Sequence, residues 1–292
     1  MNVFFLGLGS MGLPMATRLS NHGHTVKAFD TSSHAIDSAK LAGLEIATSV
    51  GEGVDGSDYV VLMLPSSAVV ESVLNGTDFV PNLKSRSCVV DMGSSNPVST
   101  QQIAEHLSAF DVDFFDAPVS GGVAGAESGT LTIMIGGDDE LVGRIMDFLS
   151  PLGSSIRHVG PVGAGHALKS LNNLMSATHL LVSSEALIAG RKFGLSYEVM
   201  LDVINTSSGR SASTENKWPK YVLPGTYDSG FALRLMAKDM EIATNLQHEL
   251  GIYSPLSRFA AELWRHASLE MGPDADHTEI VRWLAEHDGH NA

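Results

Sequence analysis

The sequence predicts an α/β fold in two parts, a doubly wound parallel sheet over residues 1–162 and an all-α domain over residues 163–292 joined to it by a long helix. Three observations carry that expectation. Short apolar runs alternate with helix-period segments through the first half, the pattern of a parallel sheet with crossover helices. A glycine-rich turn follows the first of those runs directly. From Ala164 onward the apolar residues recur at helical spacing, without a convincing strand. The length of 292 residues suits two cores, since single cores stop growing at roughly 250 to 300 residues.

In chain order, strands are expected at Asn2 to Leu6, Thr25 to Phe29, Tyr59 to Leu64, Cys88 to Asp91 and Val112 to Phe115. Later runs at Thr130 to Ile135 and Ser155 to His158 extend the same sheet. Helices are expected at Met11 to Asn21, His34 to Ala42 and Asp139 to Leu149. The second half reads as a long helix from Ala164 through Lys192, then Tyr197 to Ile204, Ala232 to Leu250, Pro255 to Met271 and Thr278 to Glu286. Only the tail 288–292 is expected to lack order.

Composition narrows the partners. A net charge of -15, from 33 acidic against 18 basic residues, argues against nucleic acid or an anionic membrane surface, so an anionic substrate must be held locally. Cys88, the single cysteine, sits in the apolar run CVVDM and is expected to be a buried free thiol in a reducing, cytoplasmic compartment. The start MNVFFLGLGS lacks the basic region of a secretory signal and reads as a strand. The stretch Leu174 to Gly190 is broken by His179, Ser183, Ser184 and Glu185, so it reads as a buried helix and not a membrane span. The 12 histidines are scattered without metal-ligand spacing, and no metal is expected.

Gly7, Gly9 and Gly12 follow VFFL and open a helix, the context a dinucleotide fingerprint requires. The first glycine makes the tight turn, the second admits a pyrophosphate, and the third lets helix and strand pack closely. The loop Gly7, Leu8, Gly9, Ser10, Met11 and Gly12 would then face the phosphates from a helix N-terminus. Asp30 ends the next strand 18 positions past Gly12, near the spacing of about 20 for a carboxylate on the adenosine ribose. Its charge repels a 2′-phosphate and Thr31, Ser32 and Ser33 supply no arginine, so NAD is favoured, with NADP left open by Lys27 and His34. Capping of the following helix is a second role compatible with the first.

Leu64 and Pro65, then Gly93, Ser94 and Ser95, leave strands at the carboxyl edge, where ligands of such sheets sit. Alone, either loop is an ordinary turn. Ser120, Gly121 and Gly122 in DAPVSGG offer a hydroxyl and two unobstructed amides to a carboxylate, or else form a bend between sheet segments. In GAGHALKSLNN, Lys169 and Asn173 are four apart and so share one helix face. Gly163 and Gly165 are expected to leave room for something bulky where that helix begins, and the uncharged surroundings make Lys169 a candidate for a shifted pKa. Lys238, beside Asp239 in LMAKDMEIA, either reaches the substrate or is a solvated surface lysine.

With these motifs assembled, the chain resembles the β-hydroxyacid dehydrogenase family and, among its branches, the 3-hydroxyisobutyrate dehydrogenases. GLGSMGLPMA, DAPVSGG, GAGHALKSLNN, SSGR and GFALRLMAKD occur in the family's order and approximate spacing, essentially end to end. The resemblance implies an N-terminal Rossmann domain, a long connecting helix, an all-helical substrate and oligomerisation domain, and a homodimer or homotetramer. It implies that Lys169 corresponds to the catalytic lysine and Asn173 to its substrate-orienting neighbour. Ser120, Gly121 and Gly122 correspond to the substrate-carboxylate loop, Leu64, Pro65 and Ser94 to NAD contacts, and Lys238 to a lysine closing over substrate and cofactor. Ser94 stands where threonine is common and Val69 where some members carry asparagine.

The chemistry so implied is oxidation of a small 3-hydroxy acid, with its hydroxyl proton passing to Lys169 as hydride passes to NAD. A lysine must be neutral to take that proton, and its reference pKa is about 10.4. Rival expectations are other small acids, such as tartronate or succinic semialdehyde, L-threonate or sulfolactaldehyde, with choice set near Val123, Asn173, Arg210 and Arg234. A decarboxylating 6-phosphogluconate dehydrogenase would need a further helical domain, and an imine reductase is disfavoured by the retained Lys169. A catalytically silent dinucleotide-binding module is the alternative outside enzymes.

Overall fold

The computed structural model describes residues 1–287; the tail expected to lack order, 288–292, lies outside the described residues. The chain forms two compact units, one from Met1 to Lys169 and one from Ser170 onward.

The first unit holds one nine-stranded sheet. Its strands are β1 (Asn2–Leu6), β2 (Thr25–Phe29), β3 (Glu45–Ile46), β4 (Tyr59–Leu62), β5 (Cys88–Asp91), β6 (Asp113–Asp116), β7 (Val119–Ser120), β8 (Leu131–Gly136) and β9 (Gly153–Gly160). The helices between them are α1 (Gly12–Asn21), α2 (Ser33–Leu41), α3 (Val50–Val54), α4 (Ser67–Leu74), α5 (Pro97–Ser108), α6 (Gly122–Ser128) and α7 (Val142–Leu149). The strand order β3-β2-β1-β4-β5-β6 is parallel throughout and reverses direction of growth between β1 and β4. Ligands of doubly wound sheets sit at that switch point.

Consecutive residues of β1 feed opposite faces of the sheet. Val3 and Phe5 pack with Met15 and Leu19, while Phe4 and Leu6 pack with Val60, Leu62 and Val89. Burial on both faces is why these strands are continuous apolar runs and not alternating ones.

Three features differ from expectation. The Tyr59 to Leu64 run stops pairing as a strand at Leu62, just ahead of Pro65, which has no N–H for a ladder. The later strands do extend the sheet, but β8 runs antiparallel to β6, with Asp116 opposite Gly136, and β7 runs antiparallel to β8. β7 follows β6 after two residues and runs the same way, so β8, returning beyond α6, lies between the two and pairs antiparallel with both. The unexpected two-residue strands β3 and β7 are too short to produce a periodic signal.

The second unit continues α8 (Ala164–Phe193) and adds α9 (Tyr197–Asn205), α10 (Leu233–Glu249), α11 (Pro255–Met271) and α12 (Ile280–His287), the last preceded by a 3-10 turn at His277–Glu279. Leu180, Trp218, Met240 and Trp264 lie in its core. A π-helix at Ser213–Val222, which the sequence does not indicate, contains Pro219, a residue that ordinarily breaks a helix interior. Among the described residues no helix is long and apolar enough to cross a membrane. Cys88 is buried and free, and burial raises its thiol pKa.

Candidate active site

The glycine loop is shaped by contacts that only glycine permits. Gly7 adopts φ 100°, and a Cβ there would run into the Met63 carbonyl; a Cβ on Gly12 would run into the Gly7 carbonyl. Gly9 is different, because nothing lies within 4 Å of where its Cβ would be. The space beside the backbone at Gly9 is open, and Met11 makes no side-chain bond to the N-terminus of α1. Open amides at a helix N-terminus suit a pyrophosphate, so the residues present fit a dinucleotide.

Asp30 follows β2 and accepts from the Leu8 amide at 2.7 Å and the Ser32 amide at 2.8 Å. It therefore ties the glycine loop to the end of β2. Ser32, not Asp30, caps α2, with its Oγ accepting from the Ala35 amide.

Leu64 and Pro65 lie just beyond β4, and Ser94 just beyond β5. Gly93 brings the two loops together, since a Cβ there would sit 2.7 Å from the Leu64 carbonyl oxygen. Asp91 holds the second loop from below, accepting from the Gly93 amide at 2.9 Å and the Ser95 hydroxyl at 2.7 Å. Ser120 closes β7, Gly121 turns at φ 137°, and Gly122 opens α6 at φ 64°. The bend expected of these three residues is present.

Asp116 was not among the residues singled out by sequence, yet it positions the start of α8. Fully buried, it accepts from the Gly163 amide at 2.7 Å and the His166 amide at 2.8 Å. His166, also buried, exchanges a 2.8 Å hydrogen bond with Thr100. The room expected beside Gly163 and Gly165 is taken by the protein itself. A Cβ on Gly165 would meet the Met134 carbonyl and Asp116, and one on Gly163 would lie 3.0 Å from the Pro97 carbonyl. Gly165 lets the helix approach the sheet, and Gly163 lets the turn before it approach α5.

Lys169 lies one turn beyond His166 and is buried, 8% exposed, unlike a solvated surface lysine. Asn173, one turn further along α8, is 6% exposed. Its Nδ2 donates to Asp239 Oδ2 at 2.6 Å, and its Oδ1 accepts from Asn172 at 3.2 Å. Lys238 is a quarter exposed, with its Nζ 3.4 Å from Asp239 Oδ1. Sequence placed Lys238 and Asp239 side by side but assigned nothing to the aspartate; no local pattern indicates that it pairs with a residue 66 positions earlier. Arg210 and Arg234 are solvent-exposed, Arg210 beside Glu215 at 3.7 Å and Arg234 bonded to the Pro273 carbonyl.

Comparison with known proteins accounts for both halves. A family model described as the NAD binding domain of 6-phosphogluconate dehydrogenase matches residues 2–160, and one described as NAD-binding of NADP-dependent 3-hydroxyisobutyrate dehydrogenase matches 163–284. The chain is 38% identical to 2-(hydroxymethyl)glutarate dehydrogenase of Eubacterium barkeri, over 89% of this chain and 87% of that one. It is 34% identical to an NAD-dependent L-serine dehydrogenase of Pseudomonas aeruginosa, over 90% and 91% of the two chains. A solved 3-hydroxyisobutyrate dehydrogenase of Mycobacterium tuberculosis with L-serine superposes with a TM-score of 0.91 at 30% identity, covering 97% of this chain and 98% of that one. Imine reductases also superpose, but at 16 to 19% identity they share the fold alone. Matched along its length in this way, the chain belongs to the β-hydroxyacid dehydrogenase family, NAD-binding oxidoreductases that act on CH–OH donors.

Proposed function

We propose that this enzyme interconverts a small 3-hydroxy acid of the 3-hydroxyisobutyrate type and its semialdehyde, with Lys169 as general acid and base. The observation that carries the reading is the pairing of a buried Lys169 with a buried Asn173 one turn along the same helix. The named relatives act on 2-(hydroxymethyl)glutarate, L-serine and 3-hydroxyisobutyrate. All three compounds contain HOCH2–CH(R)–COO⁻ and differ only in R, so the shared unit is the expected substrate core.

The loop Gly7 to Gly12, Asp30, Leu64, Pro65 and Ser94 would hold NAD, with residues 1–162 as the dinucleotide-binding part. NAD supplies the hydride acceptor in oxidation and the donor in reduction. Lys169 Nζ takes the hydroxyl proton during oxidation and returns it to the alkoxide during reduction. Asn173 orients that hydroxyl. Ser120 and the amides of Gly121 and Gly122 hold the carboxylate, and Lys238 closes over substrate and cofactor. Residues 163–292 would carry the substrate contacts and the interface of a cytoplasmic homodimer or homotetramer.

The test is a screen at 340 nm of NAD and NADP against 3-hydroxyisobutyrate, L-serine, 2-(hydroxymethyl)glutarate and the corresponding semialdehydes. Turnover of at least one HOCH2–CH(R)–COO⁻ acid is expected. Cofactor binding without turnover of any would replace this reading with a silent dinucleotide-binding module.

A further inference from the structure

Lys217 is a cation of the second unit to which neither the family motifs nor the sequence assigns a role. It projects from the π-helix Ser213–Val222, and its Nζ donates to Ser176 Oγ at 2.9 Å. Ser176 lies three residues after Asn173 on α8, so the two share a face about 4.5 Å apart along the axis. The ammonium therefore sits one turn from the carboxamide assigned to the substrate. π-helical segments recur at functional sites because the widened turn re-aims its side chains.

The environment of Lys217 is poorly neutralised. Among the described residues no carboxylate comes within ion-pair distance of it, and Ser176 takes one of the three protons that an ammonium can donate. Asp276 and His277, beside α12, are the titratable groups whose charges act on it. Burial pushes its pKa down to about 8, with Asp276 pulling the other way. A partly buried cation with spare donors costs stability unless an anion meets it. By contrast, Arg210 and Arg234 point to solvent-exposed partners.

We propose that Lys217 is a specificity residue that receives a second carboxylate on the substrate, so that R in HOCH2–CH(R)–COO⁻ ends in an anion roughly two methylenes away, as in a 2-(hydroxymethyl) diacid of glutarate size. The inference rests on Asn173 facing the substrate. One turn of helix separates the carboxamide from the ammonium, the span such a spacer covers, and Ser176 supplies a hydroxyl to the same carboxylate.

The experiment compares kcat/KM with NAD for 2-(hydroxymethyl)glutarate and 3-hydroxyisobutyrate, in the wild type and in Lys217→Met and Lys217→Arg. The wild type is expected to prefer the diacid. Lys217→Met should lower the diacid value about 10- to 100-fold, the scale of losing a hydrogen bond to a charged group, while leaving the monoacid within about threefold. Lys217→Arg should retain most of the preference. An equal loss on both acids would make Lys217 structural, and an unchanged ratio would remove it from the substrate; either overturns this inference while leaving the dehydrogenase reading intact. Silence of the wild type with both acids overturns this inference, and the dehydrogenase reading falls with it only if L-serine and the semialdehydes are not turned over either. Should Lys217→Met fail to fold, Lys217→Gln supplies the same comparison of the two acids. Because both substrates share Lys169, its titration cancels, and the diacid preference should fall as pH rises above about 8; a flat ratio from pH 7 to 9.5 would count against a role for the ammonium.

Discussion

Asn173 and Asp239 share a 2.6 Å hydrogen bond in which the carboxamide nitrogen is the donor. A carboxylate can only accept, so the bond fixes which end of the carboxamide points where. Asn173 Oδ1 is thereby presented as an acceptor, the polarity a substrate hydroxyl requires. Asp239 is 1% exposed and also lies against Lys238, so one carboxylate orients two proposed substrate contacts. Asp239→Asn should lower kcat/KM about 10- to 100-fold through loss of a charge-assisted bond. Steady-state kinetics alongside circular dichroism would check it, and a variant that keeps its kcat/KM would show that the bond serves only packing.

Lys169→Ala should cut kcat by about 100- to 10,000-fold, the usual contribution of a positioned acid or base. NAD affinity should stay within about threefold, because the proposed cofactor contacts lie elsewhere in the chain. Turnover and fluorescence titration of the same preparation separate the two quantities. Comparable activity in the variant would strip Lys169 of its role.

Gly9 and Gly12 should respond oppositely to alanine. Gly12→Ala drives a methyl into the Gly7 carbonyl and should destabilise the first unit outright. Gly9→Ala meets nothing within 4 Å, so its melting temperature should match the wild type while NAD binding weakens. A Gly9→Ala protein with unaltered NAD affinity would place the pyrophosphate away from this turn.

Asp276 clamps the chain ahead of α12, accepting from the Thr278 amide at 2.9 Å, the Gly230 amide at 3.0 Å and the Ser229 hydroxyl at 2.8 Å. Burial acts to raise its pKa, but hydrogen bonds from His277, Thr278 and Ser229 outweigh burial and hold the carboxyl well below the usual range. Its stabilisation is therefore fully present above the unfolded value of about 3.9 and is lost as pH falls through the lower folded value. Asp276→Asn should unfold at lower urea than wild type at pH 7, with the gap narrowing below about pH 4. A gap constant from pH 7 to 3 would show that ionisation contributes nothing.

The legible parts of this protein are those written in neighbouring residues. The apolar run before Gly7, the spacing of Gly7, Gly9 and Gly12, and the four-residue step from Lys169 to Asn173 are visible in the chain because turn chemistry and helical periodicity are local. The reversal of β8 against β6, the capping of α8 by Asp116 from 47 and 50 positions away, and the reach of Lys217 to Ser176 across 41 positions are decided by packing. So is the fate of Gly165, whose missing side chain makes room for the protein's own sheet. Local pattern determined which elements form and which residues share a face. Tertiary structure alone chose the partners of each buried polar group, because a buried donor or charge takes whatever acceptor the folded chain brings beside it, however distant in sequence.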